Sequence, residues 1–242
     1  MKSTFFINGN NYVDASQAPY PDIFRRMVAE GHQIASHTYQ HQDLNALDTA
    51  GRQSQMTLNE QMFANILGYF PTYMRPPYGN CNGACLADMA ALGYHVITWS
   101  IDTLDYQNDS PSAIITSENI FDSSVSGNAG GNAYISLEHD VHQYTVQVLA
   151  AHIIQTAQSR GYRTVTVGEC LGDPSGNWYR DATTGNAVGG STGGGGGGTG
   201  GGTGGGGGLA VSTDATCAAN SGGRFTCQGS SFGNCCSQYG WW

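Results

Sequence analysis

The sequence predicts a parallel α/β fold, either a barrel or an open sheet, followed by a tether and a small disulfide-rich tail. Three observations carry this. Helical and strand patterns alternate along residues 3–167. A run of Gly with a few Ser and Thr fills 189–208 and cannot build a core. Four of the seven cysteines, Cys217, Cys227, Cys235 and Cys236, crowd together near the end. In order, STFFI (3–7) reads as a buried strand and PDIFRRMVAEG (21–31) as an amphipathic helix closed by Gly31. HQIAS (32–36) is a strand, MTLNEQMFANILGYF (56–70) a strong helix, and GYHVITWS (93–100) a strand bounded by Gly93. AIITSENIF (113–121) follows as a helix and AYISLEH (133–139) as a strand. YTVQVLAAHIIQTAQSRG (144–161) is a long helix ending at Gly161, and YRTVTV (162–167) a last strand. Folds of this kind place their sites at the carboxyl ends of strands. The expected division is a large domain over 1–182, a linker over 183–212 and a Cys-rich module over 213–242.

Nine Lys+Arg against 18 Asp+Glu give a net charge of -9 with no basic stripe. This argues against nucleic acid and against an anionic membrane surface as partners. A neutral ligand such as a carbohydrate is compatible with it. No apolar run approaches the roughly 20 residues of a membrane helix. MKSTFFING lacks a signal-peptide pattern, yet dense cysteines point to an oxidising compartment. Residues upstream of Met1 would reconcile the two, and a secreted or cell-wall monomer is expected. Asn108-Asp109-Ser110 fits a glycosylation sequon, a triplet common by chance.

Four stretches carry groups that can do chemistry. SHTYQH places His37 and His41 at i and i+4 just after a strand. If helical, that spacing points both imidazoles one way and suits a divalent metal; otherwise they are surface or capping histidines. MRPPYGN sets Arg75 and Tyr78 on a proline-stiffened turn. Such a turn can orient a carboxylate or present a backbone N–H to an oxyanion. WSIDTLDY offers Asp102 and Asp105, and SLEHD offers His139, both at strand ends. A carboxylate beside an imidazole makes it a better general acid. His32 and His152 read as structural, His142 as a weak candidate, and Trp99 as core.

In the order HxxxH, RPPYG, DxxD and LxH, these stretches resemble the polysaccharide deacetylases, the NodB-homology carbohydrate esterases. TFFINGNNY, EGHQIASHTYQH, RPPYGNCNGAC and TVGECLGD are similar to fungal chitin deacetylases over residues 3–173. The resemblance implies a distorted (β/α) barrel with fewer than eight strands, acting on chitin. It implies a divalent metal, usually Zn2+ with Co2+ as an alternative, held by His37, His41 and an Asp. His139 would protonate the departing amine, and Asp105, or less readily Asp102, would pair with it. Arg75 would hold the aspartate base, the backbone N–H of Tyr78 would bind the oxyanion, and Leu137 would line the acetyl pocket.

The family's TFDDGP motif, which carries the base and the third ligand on the first barrel strand, does not occur in these 242 residues. Weak activity is therefore expected, with Asp14 and Asp43 unsupported as substitutes. The family pattern pairs Cys81 with Cys85 and leaves Cys170 as an unpaired thiol. CAANSGGRFTCQGSSFGNCCSQYGWW resembles the start of a hevein-like chitin-binding module, in which Ser237, Tyr239 and Trp241 match the sugar-binding residues. Trp242 stands where its next cysteine should be, so this stub is expected to fold poorly. Two other readings remain: a non-catalytic chitin-binding remnant, and a deacetylase of another polysaccharide such as peptidoglycan or xylan.

Overall fold

The computed structural model describes residues 1–130 and 132–188, together with the backbone of Ala210–Val211 and Phe225–Thr226. The chain alternates as expected. Strand β1 (Thr4–Ile7) leads through helix α1 (Tyr20–Ala29) to β2 (Gln33–Ser36). Helix α2 (Thr49–Leu67), β3 (Tyr69–Pro71), β4 (Tyr73–Met74), α3 (Gly83–Ala91) and β5 (His95–Val96) follow. Then come β6 (Ile101–Asp102), α4 (Ile114–Ser124), β7 (Ser136–Leu137), α5 (Ala150–Ser159), α6 (Val167–Cys170) and β8 (Tyr179–Asp181). A last ladder joins β9 (Ala210–Val211) to β10 (Phe225–Thr226).

Strands β1, β2, β4 and β5 form one parallel sheet in that order. Strands β6 and β7 form a separate parallel ladder. The parallel α/β class is as expected; among the described residues these ladders do not join into one ring, and β1 has a strand neighbour on one side only. Helices α1 and α2 cover one side of the sheet through Phe24, Ile34, Met62 and Phe63. Further along, Met56, Met74, Met89 and Tyr94 pack α2 and α3 against β4 and β5. The opposite face buries Ala35, Tyr73 and Ile97 against Val167 and Leu171. Around the second ladder, Ile101, Phe121 and Val125 pack with Ile153 and Tyr162.

Four expectations change. Helix α2 starts seven residues before Met56, at Thr49. Its first turns are polar and show no apolar stripe, but the Asp48 carboxylate caps the N–H of Gly51 at 2.8 Å, and buried Arg52 pairs with Asp88 at 2.6 Å. At the other end Gly68 turns left-handed (φ 83°), so Tyr69 and Phe70 leave the helix and pair antiparallel with β8. YRTVTV forms no strand: residues 162–164 line a cleft of about 340 Å³ together with Met1, Lys2, Gln158 and Gly161, and among the described residues no strand pairs with 162–166. Thr166 then caps α6. Cys170 is disulfide-bonded, not an unpaired thiol. That expectation counted only the family partner, whereas the chain has seven cysteines and, among the described residues, Cys81 and Cys85 use each other. Most of the Gly-rich linker and the sugar-binding positions Ser237, Tyr239 and Trp241 lie outside the described residues.

Candidate active site

The candidate residues gather where sheet topology puts them, just beyond the carboxyl ends of successive strands. His37 follows β2, Arg75 follows β4, Trp99 follows β5, Asp105 follows β6 and His139 follows β7. Their loops are held by backbone and side-chain bonds to neighbouring strands. The N–H of His37 donates to the carbonyl of Ile7 at 2.9 Å, and that of Arg75 to Ser36 at 2.9 Å. The amide of Asn8 donates to the carbonyls of His37 and Thr38.

His37 and His41 do meet, with ring centroids 4.8 Å apart, but not on a helix. The chain doubles back because Thr38 and His41 both adopt positive φ, 68° and 57°. The Oγ1 of Thr38 accepts from the N–H of His41, closing the loop at 3.1 Å. The Nδ1 of His37 lies 2.6 Å from the carbonyl oxygen of Arg75. A carbonyl only accepts, so Nδ1 carries the proton and Nε2 keeps a free lone pair, the form in which histidine binds a metal. Burial, together with neighbouring His41, Arg75 and His139, pushes the His37 pKa down to about 3, against the carbonyl bond, which favours the charged ring. Burial and then His139 also lower that of His41.

A pH prediction follows from His37. Its folded pKa lies below the ordinary 6.5. The stabilisation from keeping this ring neutral is therefore present above pH 6.5 and is lost as pH falls toward 3. In the metal-free chain its ring resonances should show no protonation step between pH 7 and about 4. A midpoint near 6.5 would refute this.

On the second ladder, Asp105 is fully buried in a one-turn 3₁₀ helix, Asp105–Gln107. Its Oδ1 faces the Nδ1 of His139 at 2.8 Å, and its Oδ2 accepts from the His139 N–H at 2.6 Å and the Thr145 hydroxyl at 2.8 Å. Burial raises the Asp105 pKa, but the bonds from His139 and Thr145 outweigh it, and the net shift is downward. Thr145 opens a π-helical turn (Thr145–Leu149) ahead of α5, where the sequence suggested one continuous helix. Asp102, the less favoured partner, instead accepts from the N–H of Leu104. His139 remains about a third exposed (35%), open to a ligand.

Arg75 lies between the two groups and is buried. Its Cζ sits 4.2 Å over the Phe6 ring and 5.7 Å from that of Trp99. Trp99 is thus a site residue and only partly core, since Gly79, which has no Cβ to collide with it, lets the indole approach Arg75. Burial lowers the Arg75 pKa to about 10, opposed by Glu138, and its Nε has no hydrogen-bond partner. Tyr78, at φ 58°, is exposed, with its ring 4.8 Å from that of His41. Leu137 is buried, and its carbonyl accepts from the Thr103 hydroxyl at 2.8 Å.

The sequence reading missed Glu138, although it lies inside SLEHD. Burial pushes its pKa up to about 7, with Asp105 adding to this and Ser136, Arg75 and His139 opposing it. Away from these groups, His32 accepts from the Ser3 N–H, and His152 bonds Asp122. His142 pairs with Asp109 at 3.2 Å. Asp14 is engaged by Ser16 and Gln17, and Asp43 by Asn45 and Asn80.

Residues 1–97 match the family model described as polysaccharide deacetylase. A chitin deacetylase from Colletotrichum lindemuthianum is 47% identical over 180 residues, covering 74% of this chain and 73% of that protein. The chain belongs to the polysaccharide deacetylase family. A second chitin deacetylase, from Pestalotiopsis sp, is 46% identical over 241 residues, all of this chain and 72% of that one. The solved structure of the Colletotrichum lindemuthianum chitin deacetylase superposes with a TM-score of 0.73 at 48% identity, over 74% of this chain and 79% of that one. By family the chain is a deacetylase, a hydrolase of a class that generally uses a metal. No described helix is long and apolar enough to cross a membrane.

The donors present fit such a metal in part. His37 and His41 are two neutral, adjacent imidazoles, and a tetrahedral or octahedral cation needs more ligands. Among the described residues no group of three or more His, Cys, Asp or Glu is arranged to hold one. The unpartnered Nε of buried Arg75 marks a place for an acceptor, as a carboxylate would supply.

Proposed function

We propose that this deacetylase acts on chitin, hydrolysing the acetamide of N-acetylglucosamine units to acetate and a free amine. The observation that carries this is the buried Asp105–His139 pair, placed beside the His37–His41 pair at the carboxyl ends of neighbouring strands. His37 and His41 would hold a divalent cation, Zn2+ with Co2+ as an alternative. When bound, the cation supplies a polarised acetamide carbonyl and an activated water.

Asp105 fixes the His139 ring by engaging Nδ1, so the opposite nitrogen, Nε2, would be the one to give a proton to the leaving amine. The backbone N–H of Tyr78, on its left-handed turn, would donate to the oxyanion. Leu137 would bound the acetyl methyl. Arg75 would orient the carboxylate that takes the water's proton. Because the TFDDGP aspartates do not occur in these 242 residues, turnover by this chain would be impaired. The same observation favours a second reading, a chain that binds chitin without cleaving it. The division at 1–182, 183–212 and 213–242, a monomeric state, a chitin-binding tail and secretion complete the proposal.

The test is acetate release from N-acetylglucosamine oligomers by the purified chain. Slow, chelator-sensitive release is expected, falling to background in His139→Asn, since a general acid contributes about 10²–10⁴-fold. Release indifferent to His139, or a clear preference for acetylated xylan, would overturn the assignment. Saturable binding with no acetate at all would select the second reading.

A further inference from the structure

The loop that carries His37 and His41 follows a path its residues do not favour. Thr38 and His41 take positive φ, 68° and 57°. For a β-branched residue such as Thr38 that region is a true outlier. A non-glycine backbone stays there only where its surroundings over-determine it. Three consecutive backbone N–H groups in the loop, those of Tyr39, Gln40 and His41, are each engaged. That of His41 donates to the Thr38 hydroxyl, inside the loop. The other two both end on one residue of helix α2. Tyr39 donates to the carbonyl of Gln55 at 3.0 Å, and Gln40 to its Oε1 at 2.8 Å. The Nε2 of Gln55 returns a bond to the Oε1 of Gln40 at 3.1 Å.

Gln55 is 4% exposed. A glutamine sealed against a helix is costly unless its amide is used, and here both ends of the amide are spent on the loop. One turn on, Asn59 is also buried, and its Nδ2 donates to the Ile7 carbonyl at 2.9 Å and the Ser36 hydroxyl at 2.8 Å. Two of the polar residues that interrupt the apolar face of α2 thus serve the segment around His37. Asn59 steadies the strand ends from which the loop departs, and Gln55 reaches the loop itself.

We infer that Gln55 is a positioning residue that holds loop 38–41 in its left-handed path, so that the His37 and His41 imidazoles converge before any cation arrives. The use of that convergence rests on the cation reading above. Gln55 touches neither imidazole and acts only through the backbone that bears them.

The experiment is an NMR comparison of the full chain with its Gln55→Met and Gln55→Glu variants, first without metal and then titrated with Zn2+. Methionine keeps the length and helix preference of glutamine and removes both amide bonds. Glutamate keeps the acceptor for the Gln40 N–H, and the exposed Gln40 amide can turn to donate to it. The first readout is through-space contact between the His37 and His41 rings, whose centroids lie 4.8 Å apart. It should be strong in the parent and in Gln55→Glu and lost in Gln55→Met. The ring signals of His152, bonded to Asp122, should stay in place in all three and report an intact fold. The second readout is the Zn2+ concentration that half-saturates the His41 shift. It should rise about tenfold in Gln55→Met, as for other residues that orient a metal ligand. Ring contacts that survive in Gln55→Met would overturn the inference and leave the cation reading standing. Their loss in Gln55→Glu as well would also overturn it, because the acceptor for Gln40 would then be present without effect. A parent indifferent to Zn2+ would overturn the cation reading, and the ring contacts would still decide the role of Gln55.

Discussion

Asp105→Ala should lower the unfolding free energy by about 3–5 kcal/mol, because it removes a buried carboxylate shared by three donors. The carboxylate accepts three hydrogen bonds, from the N–H and Nδ1 of His139 and the hydroxyl of Thr145. Alanine leaves these donors facing a void, and each unsatisfied buried group costs about 1–3 kcal/mol. For a chain of this size the loss corresponds to a fall of about 10 °C in Tm. Asp105→Asn keeps the shape and one acceptor and should cost less, about 1–3 kcal/mol. The pH dependence is a second signature. The folded pKa of Asp105 lies below its ordinary 3.8, so its contribution is present above pH 3.8 and is lost as pH falls through the folded value. The gap between parent and Asp105→Asn should therefore narrow in acid. Denaturant titration at neutral and acidic pH measures both. A loss below about 1 kcal/mol for Asp105→Ala would mean the site is wetter and looser than the geometry indicates.

The second large effect is in turnover. The 242-residue chain should release acetate from chitin oligomers at least about 100-fold more slowly than the Colletotrichum lindemuthianum relative, because a general base is worth about 10²–10⁴-fold. The motivating observations are the unpartnered Nε of Arg75 and the absence, among the described residues, of a three-ligand metal group. Calorimetry with Zn2+ supplies a parallel readout. Two imidazoles alone should bind it weakly, and His37→Ala should bind it more weakly still. Rates matching those of the relative, or tight stoichiometric zinc binding, would show that another side chain completes the site.

Much of the fold was legible because period and punctuation agree. TFFI, QIAS and the helix closed by Gly31 follow the apolar rhythm. Failures came where tertiary contacts overrode it. The polar first turns of α2 depend on Arg52 meeting Asp88, 36 residues away. YRTVTV has strand residues but no strand to bond. For the candidate site, His37, His41, Arg75, Asp105 and His139 were singled out from motif order. The reason His37 and His41 meet was not readable, since a loop through left-handed Thr38 and His41 replaces the supposed helix. Glu138 and Trp99 matter through Arg75, by electrostatic interactions that span 63 and 24 residues of sequence respectively. No local pattern encodes such a distance.

The break between the two parallel ladders divides the chemistry. The histidine pair and Arg75 ride on the four-stranded sheet, while Asp105 and His139 ride on β6 and β7. Only the short connection 97–100 passes directly from one to the other, and Trp99 stands in it. The two halves nonetheless meet electrostatically, since His139 on one lowers the pKa of His37 and His41 on the other, and Glu138 and Arg75 act on each other across the break. Substitutions at these residues in one half should therefore combine non-additively with those in the other. For directed evolution, proton donation and cation binding have to be varied together in one library.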